Sequence, residues 1–232
     1  FWTGFVNVID FFRSTPSVPY PHNQTCAGTY PTTVSPFNPF FDRIDPARLG
    51  IAGHSLGARG VSVVQAYGAE GAEPWPGLLD VQNPVKVAVA WDSLGVGGTP
   101  AAVPRVPAMG QSSEYGIGGA PFNTPPDPEG HKEAFAAWRD AGVPVYQQTI
   151  QGSTHFEWSL IPSFPSTSWC ATTSHNRCEG GWGNPFAEFY SVAWFDRWLK
   201  QRGEKGYDDV DARLLDDLHW CERYSFYYRG GR

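Results

Sequence analysis

Ile44-Asp45-Pro46-Ala47-Arg48-Leu49-Gly50-Ile51-Ala52-Gly53-His54-Ser55-Leu56-Gly57-Ala58 is the stretch on which the fold turns. Arg48 to Gly53 is a short apolar run after Asp45-Pro46, and it reads as a buried strand. Leu56 to Tyr67 reads as a helix, with small residues early and Val61, Val64 and Ala66 later. Between them, Gly53-His54-Ser55-Leu56-Gly57 has the form G-x-S-x-G. The pattern alone is weak in a glycine-rich chain, but strand, sharp turn and helix in immediate succession give it meaning. A serine at such a turn holds strained dihedrals, and the close approach of backbone demands small neighbours, here Gly53 and Gly57. The turn lifts the hydroxyl out of the sheet. It also aims the Leu56 N–H, at the helix start, at negative charge developing beside the serine.

The alternation of elements continues on both sides. Thr3 to Arg13 puts Phe5, Val6, Ile9 and Phe12 on one helical face. Residues 14–44, rich in Pro, Thr, Asn and Phe without a period, read as a long ordered loop. Val85 to Trp91 is a strong central strand, Val103 to Met109 a shorter one, and Val143 to Ile150 another. His131 to Ala141, Ala187 to Lys200 (amphipathic) and Val210 to Arg223 read as helices. Strands alternating with helices predict an α/β fold, a mostly parallel sheet covered by helices. It forms a single domain over 1–232, with a helical extension over about 203–232 and a flap over 162–184.

A serine hydroxyl is a poor nucleophile without a base. After a turn of this kind, the acid and then the histidine follow along the chain. There are six histidines. His54 lies inside the turn and is read as pointing elsewhere; His22 precedes the turn, His131 begins a helix, His175 sits between cysteines, and His219 lies on the last helix. His155, in Gln151-Gly152-Ser153-Thr154-His155-Phe156, follows a strand and a turn, which is where the base must hang. For the acid, Asp92 directly follows the Val85–Trp91 strand and is preferred; Glu114, after the next strand, is the alternative. Phe156, Trp158 and Tyr115 lie near these residues in sequence and read as the lining of a substrate pocket.

Over Ile44–Ala58 and Gly152-Ser153-Thr154-His155 the chain resembles the α/β-hydrolase superfamily. Within it, the resemblance is to the serine esterase branch of dienelactone hydrolases, platelet-activating-factor acetylhydrolases and polyester (cutinase-like) hydrolases. It runs from about Thr3 to Lys200, and the elbow and the Gly-Ser-Thr-His segment are its specific parts. It implies cleavage of a small-molecule or polymeric carboxylic ester through an acyl-enzyme on Ser55, with no metal or organic cofactor. The acetylhydrolases place their acid in a context similar to Ala90-Trp91-Asp92, the polyester hydrolases one strand later, near Glu114. A domain of this family has about eight strands, and four are read here, all at or after the elbow. The resemblance therefore implies earlier strands, with the loop that gives the second oxyanion N–H, ahead of Phe1 or on a companion chain. An acyltransferase or a peptidase would use the same three residues. A non-catalytic hydrolase-like binding protein would have no need for all of them.

Composition narrows the classes. The 232 residues carry a net charge of −6, which excludes the basic footprint of a nucleic-acid binder. No apolar run approaches the ~20 residues of a membrane-spanning helix. Hydrophobic residues at 41% and aromatics at 15% exclude general disorder. The four cysteines, Cys26, Cys170, Cys178 and Cys221, form no C-x-x-C pair, so zinc-ribbon and thioredoxin-type readings fail. The even count, with four Lys against 13 Arg, fits a secreted protein with two disulfides, Cys170–Cys178 and Cys26–Cys221 being the preferred pairing. Asn23-Gln24-Thr25 is a glycosylation sequon. Asp127, Glu129, His131 and Glu133 read as a solvated cluster, as do the acids over 208–217; neither has metal-site spacing.

Overall fold

The computed structural model describes residues 2–22, 25–26, 32–33, 35–115, 129, 131–159, 183–215 and 224–230. Along the chain come α1 (Trp2–Arg13), β1 (Thr25–Cys26), β2 (Thr32–Thr33), a 3₁₀ turn (Phe41–Arg43), β3 (Leu49–His54), α2 (Leu56–Ala66), β4 (Val85–Trp91) and β5 (Ala108–Ser113). They are followed by α3 (Lys132–Asp140), β6 (Val145–Ile150), α4 (Gly183–Leu199), α5 (Val210–Leu215) and β7 (Tyr224–Gly230). One sheet has the order β3-β4-β5-β6-β7. Its first four strands are parallel, and β7 runs antiparallel to β6. The protein is of the α/β class.

The sequence of β4 explains the layering. Ala88 and Ala90 point to one face and pack with Val61 and Val64 of α2, Val6 and Ile9 of α1, and Trp138 of α3. Val87 and Val89 point to the other face and pack with Tyr190 and Trp194 of α4 and Leu214 of α5. A strand buried on both faces is nearly all apolar for this reason. Close helix packing is read from Gly60, where an added Cβ would sit 2.6 Å from the Phe5 ring. The far end of α2 is capped by Asn83, whose Nδ2 donates to Val64 O and Tyr67 O, and by the Arg105 Nε–H, which donates to Gln65 O. Burial lowers the Arg105 guanidinium to about 10, so it stays cationic at neutral pH against the carbonyl end of the helix.

The register places the strand ends. His54 lies beside Trp91, Trp91 beside Gln111, and Ser113 beside Ile150, so the parallel strands finish along one edge. Ser55, Asp92, Glu114 and the turn leading to His155 follow those ends and are delivered there together.

Three expectations are corrected. The strand expected over Val103–Met109 lies at Ala108–Ser113. Pro104 and Pro107 have no N–H for a ladder, and the N–H groups of Arg105 and Val106 are taken by Gln65 Oε1 instead. The polar Gln111-Ser112-Ser113, which look like surface, are buried. The helical extension over about 203–232 ends, among the described residues, at Leu215, and Tyr224–Gly230 is a strand. Its aromatic run Phe226-Tyr227-Tyr228 suits a strand, and β6 would otherwise present an unpaired edge. The loop expected over 14–44 contains the β1–β2 pair and the 3₁₀ turn. The flap, apart from the start of α4, and the side chains of all four cysteines lie outside the described residues, as do Asn23 and Asp127.

Candidate active site

The turn after β3 is tight for a steric reason. Ser55 has φ 60° and ψ −120°, a conformation that L-residues rarely adopt. A Cβ on Gly53 would lie 2.4 Å from the Gly57 carbonyl oxygen, so nothing larger than glycine fits there. Gly57 is different, since a Cβ there meets nothing within 4 Å among the described residues. The expectation that both glycines are demanded by crowding therefore holds for Gly53 alone. Ser55 N–H donates to Trp91 O at 2.9 Å, tying the turn to the end of β4. Ala58 and Arg59 N–H close the first helical turn on Ser55 O. The Leu56 N–H, at the start of α2, has no acceptor among the described residues.

The Ser55 hydroxyl lies 2.8 Å from His155 Nε2, and His155 Nδ1 lies 2.6 Å from Asp92 Oδ2. An ionised Asp92 only accepts, so the bonding assigns the proton to Nδ1; Nε2 is then the acceptor for the Ser55 O–H. Asp92 is itself held at positive φ, 48°. Its carboxylate, only 5% exposed, accepts the Ser113 N–H at 2.8 Å and the Ser113 hydroxyl at 2.9–3.0 Å. Burial, the largest influence, pushes the Asp92 carboxyl up. The hydrogen bonds from His155 and Ser113 outweigh it, and the carboxyl lies below its ordinary value. Asp92 is therefore charged at neutral pH.

The structure separates the two acids. Asp92 bonds the His155 ring, whereas Glu114 Oε2 accepts the Gly152 N–H at 2.6 Å, in the turn before His155. Phe156 meets the His155 ring edge-on at 5.7 Å. Trp158 lies 5.8 Å from the His54 ring and donates from Nε1 to Gln111 Oε1 at 2.9 Å, so its indole is anchored to β5. Tyr115 joins the site through its N–H, which donates to Ser153 O at 3.1 Å. Leu56 leaves its side chain exposed beside Ser55.

No known protein family and no curated protein matches this chain.

His54 and Ser113 are the residues that the sequence reading missed. His54 does not point elsewhere. Its Nε2 is 2.7 Å from His155 O and its ring is 4.7 Å from the His155 ring. A carbonyl only accepts, so His54 Nε2 carries the proton. Ser113 ends a buried strand whose polar residues had no local signal of burial. Among the described residues no three His, Cys, Asp or Glu side chains are placed to hold a metal ion. Glu129 pairs with Lys132, Asp209 with Arg213, and Asp211 with Arg197.

His54 carries a pH prediction. Burial, the largest influence, lowers its pKa below 6.5, and the bond to His155 O and the Asp92 charge only partly offset this. The unfolded chain thus binds this proton first. The stability from a neutral His54 is fully present above about pH 6.5 and drains as pH falls below it. The urea midpoint is expected to fall from pH 7 to pH 5, and His54→Gln, which has no proton to gain, should flatten part of that slope. Equal slopes in the two proteins would contradict the reading.

Proposed function

We propose that the protein is a serine hydrolase that cleaves carboxylic esters. The observation that carries the reading is the unbroken relay from a strained Ser55 through His155 to a buried, charged Asp92, at 2.8 Å and 2.6 Å. His155 Nε2 takes the hydroxyl proton as Ser55 Oγ bonds to the ester carbonyl carbon. The carbonyl oxygen becomes an oxyanion facing the Leu56 N–H. Asp92 stabilises the imidazolium and fixes its tautomer. The tetrahedral intermediate collapses, the alcohol leaves with the proton from His155, and an acyl ester remains on Ser55. Water, deprotonated by the same His155, attacks that ester, and the acid departs with Ser55 restored. None of these steps calls on a metal or an organic cofactor.

The aromatic side chains of Phe156 and Trp158 supply an apolar shelf for the acyl or alcohol part of the substrate, a small molecule or a polymer. The outer edge of β3 meets no strand among the described residues, and its six residues are half-buried. A further segment or companion chain pairing there would cover that edge, and the family resemblance implies that its loop carries a second oxyanion donor. The cysteine count and low lysine content support a secreted protein with disulfides.

A fluorophosphonate probe tests this directly, because an activated serine attacks its phosphorus and displaces fluoride, and mapping tells that serine from any other nucleophile. Intact mass and peptide mapping should find one adduct, on Ser55, and the same spectrum reveals any companion chain. Folded protein that takes no adduct would move a non-catalytic binding role to the front. Labelling without hydrolysis of any ester, beside transfer of an ester's acyl group to an added alcohol or cleavage of a peptide, would redirect the reading to an acyltransferase or a peptidase.

A further inference from the structure

We propose that Glu114 is a positioning residue that sets the place of His155 over Ser55. The inference rests on the serine hydrolase reading and assigns a task to the acid that the relay does not use. Ser113 and Glu114 are consecutive, at and just past the end of β5. Ser113 donates twice to Asp92, from its N–H and its hydroxyl. Glu114 grips the next loop: Oε2 accepts the Gly152 N–H at 2.6 Å, and its own N–H donates to Ser153 Oγ at 3.2 Å. The Tyr115 N–H adds a bond to Ser153 O at 3.1 Å. One residue thus holds the acid, and its neighbour holds the turn from which the base hangs. The separation of the two grips is a single peptide unit, about 3.8 Å between Cα atoms, and it cannot stretch.

The turn needs holding. Gly152 has φ 68°, a conformation reached through glycine's freedom, and that freedom would let His155 wander. Glu114 is only 8% exposed, so a carboxylate bond to an amide there is strong, and its loss leaves a buried donor unpaired. The cost falls on alignment. Moving a reacting group by about 1 Å can lower a rate by about 10²-fold.

The test uses the full chain with Glu114→Ala, Glu114→Asp, Glu114→Gln and Ser153→Ala. Two properties are read: kcat and KM on a chromogenic ester, and the low-field NMR signal of the Nδ1 proton between His155 and Asp92, recorded without substrate. Glu114→Ala is expected to lower kcat about 10- to 100-fold, with KM nearly unchanged and the low-field signal weakened. Glu114→Gln should recover most of that loss, because its amide oxygen still accepts the Gly152 N–H. Ser153→Ala removes the acceptor of the Glu114 N–H but leaves the bond to the Gly152 N–H, so it should give a smaller loss of the same kind. Wild-type kcat and an undisturbed signal in Glu114→Ala would overturn the proposal; should that variant fail to fold, the same result in Glu114→Asp, whose carboxylate is one methylene further from the Gly152 N–H, would do so. A glutamine variant as impaired as the alanine one would also overturn it, since charge rather than the clamp would then matter. A wild-type protein that never labels on Ser55 sinks the hydrolase reading alone, and the proton signal still decides the clamp.

Discussion

Ser55→Ala is expected to lower ester turnover by about 10⁴-fold or more, with thermal unfolding almost unchanged. Among the described residues the hydroxyl makes one side-chain bond, to His155, so its removal deletes the nucleophile and little else. Alanine has the same Cβ as serine and meets the same strain at φ 60°, so the turn is no harder to form. The activity that remains should be that of the other groups acting on water, without the burst of a covalent intermediate. Fluorophosphonate labelling should vanish with turnover. A variant that keeps a tenth of the wild-type rate in a clean preparation would mean that another group is the nucleophile, and the relay would be a structural hydrogen-bond chain.

Asp92→Asn is the second large effect, a loss of about 10³- to 10⁴-fold in kcat. The reason is a tautomer. The Ser113 N–H and hydroxyl both donate toward the Asp92 carboxylate, so an asparagine there presents its oxygen to Ser113. Its NH₂ group then faces His155 Nδ1 and can only donate. The ring must carry its proton on Nε2, and the nitrogen facing Ser55 stops being a base. The backbone itself should tolerate the change, because asparagine accepts the positive φ that Asp92 adopts. Glu114 offers no substitute while it holds the Gly152 N–H. Asp92→Asn should therefore be far more damaging than Glu114→Gln, and kcat on one ester ranks them. The reverse order would give the role of acid to Glu114.

The legible part of this protein was the part with local causes. Leu49–His54 and Val85–Trp91 are apolar runs bounded by Pro, Gly or Asp, and their strand form needs no knowledge of distant residues. Ser55 sits between a strand and a helix in one continuous stretch, so its exposure at a turn could be argued from fifteen residues. His155 follows a strand and a glycine turn and was reached by the same reasoning. Where the cause is distant, the local sequence carries no sign of it. Gln111, Ser112 and Ser113 look solvated until Trp158, Gln147 and Asp92 arrive from elsewhere in the chain to bond them. Phe226–Tyr228 gained a strand partner only when β6 formed beside it.

What the amino-acid order alone determined is the α/β alternation and the delivery of a serine, two carboxylates and a histidine to successive element ends. What only the tertiary structure decided is which carboxylate meets the histidine and which meets the Gly152 N–H. Asp92 and Glu114 are chemically alike, and each follows a parallel strand. Their partners differ because hydrogen bonds act over about 3 Å, and strand register and the turn at Gly152 determine which atoms come that close. His54 makes the same point: one position from Ser55 in the chain, it acquires its contact with His155 from a residue 101 positions away.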